Sequence, residues 1–463
     1  MRPNTDLLPS LVHLGWKPFV RLRPRTAREI GSSPWSIGLE TIDRAYVDFA
    51  PLVPHLAALG ATQARVQAGW ARCEPVKGGA YQWDWLDEIV EGCLAHGIKP
   101  WLQTSYGNLA YPGGGGVGLG DGLPVSPEAL EAWDRWVRAM AARYNGKVDT
   151  WEIWNEPMLP IVSVEDYTRF FIRTATLLRK VRPASRILGP GLADHDEYDF
   201  AGKFLAALAK ENRTHLLDEL TYHFYPHNPD EQFDCVDDLA RLCARHAPHV
   251  TLRQGETGAP SECSRFLALG EHAWSERKQA AWNLRRLLAH HARGIPMNLF
   301  HLADMHYVKD NGARFHGRNP KGLLCLFPDK TVAYPKQSYF AGQHVFTVFD
   351  DTFPLARCES LAGRFLRRTS AYAWRRRDAT RRSLICWWRA DEPPSLTTPD
   401  LGHTGMDPQT WDDPVLIDFM SGLVFAPPPG IATGDETAWL TLPWAETPLA
   451  LAEKNEIPLQ PLA

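Results

Sequence analysis

A (β/α)8 TIM barrel with a small C-terminal β-sandwich domain is the fold class this chain predicts. Three observations carry it: eight alternations of a short apolar run with an amphipathic segment across residues 35–349, a change to short strand-like runs with Pro-rich turns after Asp350, and a glutamate at the end of two of the apolar runs. Eight βα units in series imply a closed barrel, because open doubly wound sheets rarely show so regular a count. Barrel active sites gather at the carboxyl ends of the strands, where both glutamates fall.

Residues 1–34, with Pro at 3, 9, 18 and 24 and an apolar Phe19-Val20, read as an extended arm that packs on the barrel or adds to the sandwich. The barrel, 35–349, draws its strands from 35–39, 62–67, 99–104, 148–154, 186–189, 219–223, 249–255 and 297–302. Between and after them, apolar positions at three- and four-residue spacing predict helices over 46–59, 83–96, 128–144, 164–181, 200–209, 236–246, 271–293 and 335–349. The accessory β-sandwich, 350–463, shows runs such as 383–388 and 439–442, broken at Glu392-Pro393-Pro394 and Pro427-Pro428-Pro429. A basic cluster at Arg364, Arg367, Arg368, Arg375–Arg377, Arg381 and Arg382 reads as a solvated face of two strands or as a patch for an acidic polysaccharide.

Composition narrows the partners. The net charge of −4 and a pI near 6.5 offer no global attraction for nucleic acid or an anionic membrane. No apolar run of signal-peptide or membrane-spanning length occurs, so a soluble cytoplasmic protein is expected, although a chain trimmed of a signal would read the same. The eight Cys lack CxxC or zinc-like spacing and are expected as free, mostly buried thiols. The 18 Trp suit sugar rings, whose apolar faces stack on indole, but Trp is also core material.

The chemistry centres on Trp151-Glu152-Ile153-Trp154-Asn155-Glu156-Pro157. Pro157 lacks the N–H that would continue a ladder, so Glu156 sits where strand becomes loop. A second strand runs through Arg253-Gln254-Gly255 into Glu256. Two strand-end carboxyls are what a two-carboxylate glycosidase needs, one ionised to attack and one protonated to help the leaving oxygen depart. On this reading Glu256 is the nucleophile and Glu156 the acid/base, its pKa raised by the field of Glu256. Glu152 lies four residues upstream, roughly 13 Å deeper at about 3.3 Å per residue, too far inside to reach a sugar at the rim.

Supporting positions follow. Asn155 flanks the acid/base, and Arg65 on the second strand is a counterion for either Glu152 or Glu256. Tyr225, just past the sixth strand, can hydrogen-bond the nucleophile, and His223 can hold the acid/base or a sugar hydroxyl; either also fits as a plain rim residue. Glu40, Gln67, Trp70 and Tyr106 stand at the ends of the first three strands and are candidate substrate contacts. So are Asn108, His301, Asp304 and His306. His301 and His306 with Asp304 have metal-ligating side chains, but two His five apart lack the spacing of HExxH, so no metal and no cofactor is expected. The Gly-rich stretch 111–122 lacks the Gly-Lys-Ser/Thr of a phosphate loop and is either a connector or a mobile wall of the pocket.

With these residues in view, the chain resembles clan A retaining glycoside hydrolases, most closely the family 39 type that includes β-xylosidases and α-L-iduronidase. The resemblance rests on Trp154-Asn155-Glu156-Pro157, on Gly255-Glu256-Thr257-Gly258, and on Tyr225 as aromatic partner of the nucleophile. Lys321-Gly322-Leu323-Leu324 and Lys336-Gln337-Ser338-Tyr339 are similar to the family's approach to its last helix. Two departures fall on sugar-contacting positions: the third strand, Trp101-Leu102-Gln103-Thr104-Ser105-Tyr106, lacks a His found in some members, and Phe300-His301-Leu302-Ala303-Asp304 stands where many have a Trp platform. The resemblance implies a retaining, exo-acting hydrolase of small β-linked glycosides or oligosaccharides, similar to β-xylosidases, β-glucosidases or β-galactosidases, with a carbohydrate as its partner. The alternatives are an inverting or endo-acting hydrolase, which carboxylate spacing separates, and an inactive carbohydrate-binding barrel, which would more naturally have lost one glutamate.

Overall fold

The structure, a computed structural model, describes residues 11–159, 162–264, 267–309, 314–353, 368–395 without 378 and 380–382, 400–404, 411–427 and 440–462. An N-terminal strand β1 (Pro18–Leu22) precedes eight parallel strands: β2 (Trp35–Gly38), β3 (Gln63–Gln67), β4 (Lys99–Thr104), β5 (Thr150–Ile153), β6 (Arg186–Leu192), β7 (Glu219–Tyr222), β8 (Thr251–Thr257) and β9 (Met297–Leu299). Each pairs with the next, and β9 returns to β2 with Trp35 opposite Met297, closing the barrel. The alternation read from the sequence is therefore the fold.

Local chemistry explains the helices. Ser126, Ser163 and Ser275 each accept a backbone N–H at the start of the helices Pro127–Arg143, Val164–Val181 and Glu276–His291, satisfying donors the first turn leaves open. One helix differs from expectation. Its predicted span 46–59 contains Pro51 and Pro54, and the regular helix is only Val53–Leu59, with Pro54 in its first turn, where a missing N–H costs nothing. The preceding residues form short 3-10 turns at Ile42–Arg44 and Ala50–Leu52. Tyr46 is thereby released to the barrel mouth.

The C-terminal part is a seven-stranded antiparallel sheet in the order Thr369–Trp374, Leu384–Arg389, Leu449–Glu453, Pro414–Asp418, Leu423–Phe425, β1 and Leu459–Pro461. Strand alternation gives it two apolar faces. Ala371, Ile385, Trp387 and Leu416 pack with Leu442 and Trp444 of the ribbon formed by Asp400–Thr404 and Leu440–Trp444. Trp374, Cys386, Trp388 and Ile417 join the barrel's core. Where a sandwich needs a second large sheet on that inner face, the barrel itself serves. This docking accounts for the burial of the polar helix Glu276–His291: Trp374 Nε1 donates to His291 Nδ1 at 2.8 Å, and Arg285 Nη2 to the Glu392 carbonyl at 3.0 Å.

Arg375–Arg377 follow the strand Thr369–Trp374 in a turn. Arg364, Arg367, Arg381, Arg382, Cys358, Pro3, Pro9, Pro428, Pro429 and Trp439 lie outside the described residues. Among the described residues no helix is long and apolar enough to cross a membrane.

Candidate active site

Glu156 and Glu256 meet across the carboxyl-terminal mouth of the barrel. The backbone makes this possible at β5, where Trp154 and Glu156 take positive φ values of 66° and 46°, a region bulky residues rarely enter. The alternating turn sends Trp154 into the aromatic core against Trp133 and Phe170, Asn155 toward Arg65, and Glu156 into a cleft of about 550 Å³. Glu256 is the penultimate residue of β8 and lines the same cleft. One carboxyl oxygen of each glutamate and a ring nitrogen of His223 all lie within 4.8 Å of one another.

Arg65 on β3 organises the floor. Its Nε donates to Glu152 at 2.7 Å, its Nη1 to Glu256 at 2.6 Å and to Glu40 at 3.0 Å, and its Nη2 to Asn155 at 2.8 Å. The two partners foreseen for Arg65 are thus held at once, and Glu40 is a third. Glu152 is saturated, since Gln103 at 2.9 Å and Thr221 at 3.1 Å supply its remaining bonds; it is fully buried and plays no part in the cleft surface. Glu40 accepts at Oε1 from Arg65 and from Asn298 at 3.3 Å, while its buried Oε2 has no hydrogen-bond partner. A Cβ on Gly38 would lie 2.1 Å from that oxygen, so glycine is required beneath it. Burial pushes the Glu40 pKa up to about 8, with Arg65 opposing and Glu256 reinforcing. Glu40 shares its guanidinium with two other carboxyls and keeps one buried oxygen unbonded, which favours its uncharged form.

His223 is fully buried on a cradle of Gly191 and Gly255, where added Cβ atoms would lie 3.1 Å from its ring. Burial pulls its pKa down to about 4, so it is neutral at pH 7. An arginine only donates; the contact of Arg65 Nη2 with Nε2, at 3.5 Å, makes that nitrogen the acceptor and places the proton on Nδ1. Nδ1–H then donates to Glu156 Oε1 at 2.8 Å. Although Glu156, His223 and Glu256 are all of metal-ligating type, this proton occupies the lone pair a metal would need.

The two glutamates differ in environment. Burial raises the Glu156 pKa to about 7, opposed by Arg65 and assisted by Glu152 and Asp194. Desolvation thus leads, where the sequence argument had named the field of Glu256. Glu256 keeps 14% of its side chain exposed and is held at both oxygens, by Arg65 and by the Tyr225 hydroxyl at 2.9 Å. The Tyr225 phenol is itself pushed well above its usual range by burial, so it stays a donor.

The other sequence candidates divide. Glu40, Gln67 and Tyr106 line the cleft. Trp70 does not: it is fully buried in the helical turn Trp70–Cys73, stacked on Tyr111 at 5.4 Å, with Nε1 bonded to Glu74 at 2.8 Å. Asn108 is likewise buried, donating to the Glu74 carbonyl at 2.8 Å and capping its own loop. His301 is buried behind Glu40, whose carbonyl it contacts at 2.9 Å through Nε2. Asp304 is paired with Lys336 at 2.6 Å, and His306, also buried, lies on the strand Met305–Lys309. The Gly-rich stretch contributes Gly118 and Leu119 to the cleft wall, held by the Gly107 N–H on the Gly116 carbonyl at 2.7 Å.

Sequence reasoning missed Arg44, Tyr307, Asn319 and Lys321, all of which line the cleft. Lys321 is 2% exposed, and burial lowers its pKa to about 7 while Glu256 opposes the shift. The Asp43-Arg44 pair just past a strand end was a readable signal. The other three follow the last barrel strand, where no period marks them.

A closed parallel barrel with an antiparallel sheet docked on its side is a fold this chain shares with solved glycoside hydrolases. Among solved structures the chain is similar to a family 39 glycoside hydrolase from Bacteroides cellulosilyticus, with TM-score 0.68, 18% identity and coverage of 92% of this chain and 82% of that one. A family 39 enzyme from Xanthomonas axonopodis pv. citri gives TM-score 0.57 at 16% identity, covering 98% and 100% of the two chains. A monomeric β-xylosidase from Caulobacter crescentus gives 0.56 at 16% identity, covering 96% and 98%. No protein-family profile and no curated protein sequence matches the chain. At these identities the likeness establishes the fold.

Proposed function

We propose that the protein is a retaining glycoside hydrolase, exo-acting on small β-linked glycosides or oligosaccharides of the kind β-xylosidases, β-glucosidases or β-galactosidases take, and working without a cofactor. One observation carries the reading: a carboxyl oxygen of Glu156 and one of Glu256 lie within 4.8 Å of each other, close enough for both carboxyls to reach one glycosidic bond, as the ~5–5.5 Å carboxyl separation of retaining pairs requires.

In this reading the Glu256 carboxylate attacks the anomeric carbon as the bond to the leaving oxygen breaks. Glu156, neutral below about pH 7, gives that oxygen its proton. His223 occupies Oε1 of Glu156, so the proton sits on Oε2. In the second half Glu156 takes a proton from water, the water oxygen attacks the anomeric carbon, and the ester to Glu256 breaks with the starting configuration restored. Arg65 and Tyr225 hold the two oxygens of the attacking carboxylate and aim it.

A panel of nitrophenyl glycosides followed by NMR of the first anomer released tests this. Retention is expected, and release of the opposite anomer would replace the double displacement by inversion. Absence of turnover on every glycoside of a folded preparation would leave a binding protein.

A further inference from the structure

The cleft does not end at the catalytic pair. A second cavity, of about 840 Å³, opens beside it over the loops that follow β2, β3 and β4, a size within the ~300–1,000 Å³ of ligand sites. Arg44, Tyr46, Tyr106 and Gly118 line both cavities and form the waist at which the two adjoin. At the waist the Arg44 guanidinium lies 5.0 Å from the Tyr106 ring and 5.5 Å from that of Tyr46. Arg44 also pairs with Asp43 and bonds Gln67. Beyond it, Asp43, Arg72, Asp121 and Lys330 ring the basin, over an apolar surface that includes Ala71, Val117 and Pro328. Acceptors and cationic donors around apolar patches suit a ring with polar edges and an apolar face.

The position decides which part of a substrate enters. Glu156 stands past β5 with Leu159 and Ala193 on the same wall, and the group that takes its proton departs on that flank. The basin lies on the other. Resting on the hydrolase reading above, we infer that this basin is a second sugar subsite, and that the protein prefers chains with two sugar units over one on the non-leaving side of the cleaved bond. The favoured substrate class is then a β-linked oligosaccharide that fills both subsites.

The test compares nitrophenyl glycosides bearing one or two sugar units before the same leaving group, in the wild type, Arg72→Met and Lys330→Met. The expected wild-type kcat/KM is about tenfold or more higher for the two-unit compound, the gain one or two net hydrogen bonds supply. Each variant should lose most of that gain and treat the one-unit compound as the wild type does. Arg72 also donates to the Ile42 carbonyl and stacks on Trp85 at 4.5 Å, whereas Lys330 makes an exposed pair with Asp48, so Lys330→Met guards against a folding defect. Equal kcat/KM for the two lengths, or an equal loss on both in the variants, would overturn the subsite. If no glycoside were turned over, calorimetry with the free oligosaccharides would still discriminate. Tighter binding of the longer chain that both variants weaken supports the basin while refuting hydrolysis, and equal binding refutes the basin too.

Discussion

Replacing His223 with Leu removes the hydrogen bond that Nδ1 donates to Glu156 at 2.8 Å. A bond of this kind favours the carboxylate over the acid, so its loss raises the Glu156 pKa further above about 7. A hydrogen bond to a charged acceptor contributes roughly 1.5–3 kcal/mol, which at about 1.36 kcal/mol per pH unit moves the titration upward by about 1–2 units. The acid form persists to higher pH, and the alkaline limb of kcat/KM moves with it. The assay is kcat/KM against pH on glycosides with poor leaving groups, for which the proton from Glu156 matters most, beside a melting curve to show that the variant is folded. The wild-type limb is expected near pH 7. A limb that stayed fixed or moved to lower pH in His223→Leu would refute both the neutral tautomer and the assignment of Glu156 as the acid.

Glu256→Gln should abolish turnover of every glycoside, whereas Glu156→Gln should spare the first step for good leaving groups and be rescued by azide; equal loss without rescue would mean the roles are exchanged or wrong. Arg65→Met leaves buried carboxyls without their counterion and should cost about 3–5 kcal/mol of stability in urea unfolding, and a loss under 1 kcal/mol would show that Glu152 does not depend on it. Trp70→Phe should cost about 1–3 kcal/mol by stranding the Glu74 oxygen bonded to the indole, with KM unchanged in the folded enzyme. A raised KM at full stability would return Trp70 to the sugar site.

The barrel was legible because each βα unit carries its own period and because Pro157 stops the chain just past the strand that leads to Glu156. The partners around them were legible in kind, since Asn155, His223 and Tyr225 sit at or just past strand ends and Arg65 on a neighbouring strand. Their arrangement was not: that one guanidinium spans Glu40, Glu152 and Glu256 depends on three strands meeting in space. Trp70 misled because an indole just past a strand end serves equally as a platform or as core, and only its stacking on Tyr111 and Trp136 decides. The helix Glu276–His291, with Arg285, Arg286, His290 and His291 all buried, reads as half-exposed until the sheet that covers it is placed.

The pairing of β1 with Leu423–Phe425 and Leu459–Pro461 has a consequence for synthesis. At about 5–20 residues per second, roughly 20–80 s pass between the emergence of this strand from the ribosome and that of its partners. Throughout that interval the barrel can close, but β1 remains a strand with two bare edges, the configuration most prone to capture by another chain. Its composition meets the risk. It begins with Pro18, which offers no N–H, carries Arg21 within, and is flanked by Lys17 and Arg23. The nascent chain therefore holds this strand in reserve, kept from strangers by proline and positive charge until Leu423–Phe425 and Leu459–Pro461 arrive to lock the sheet.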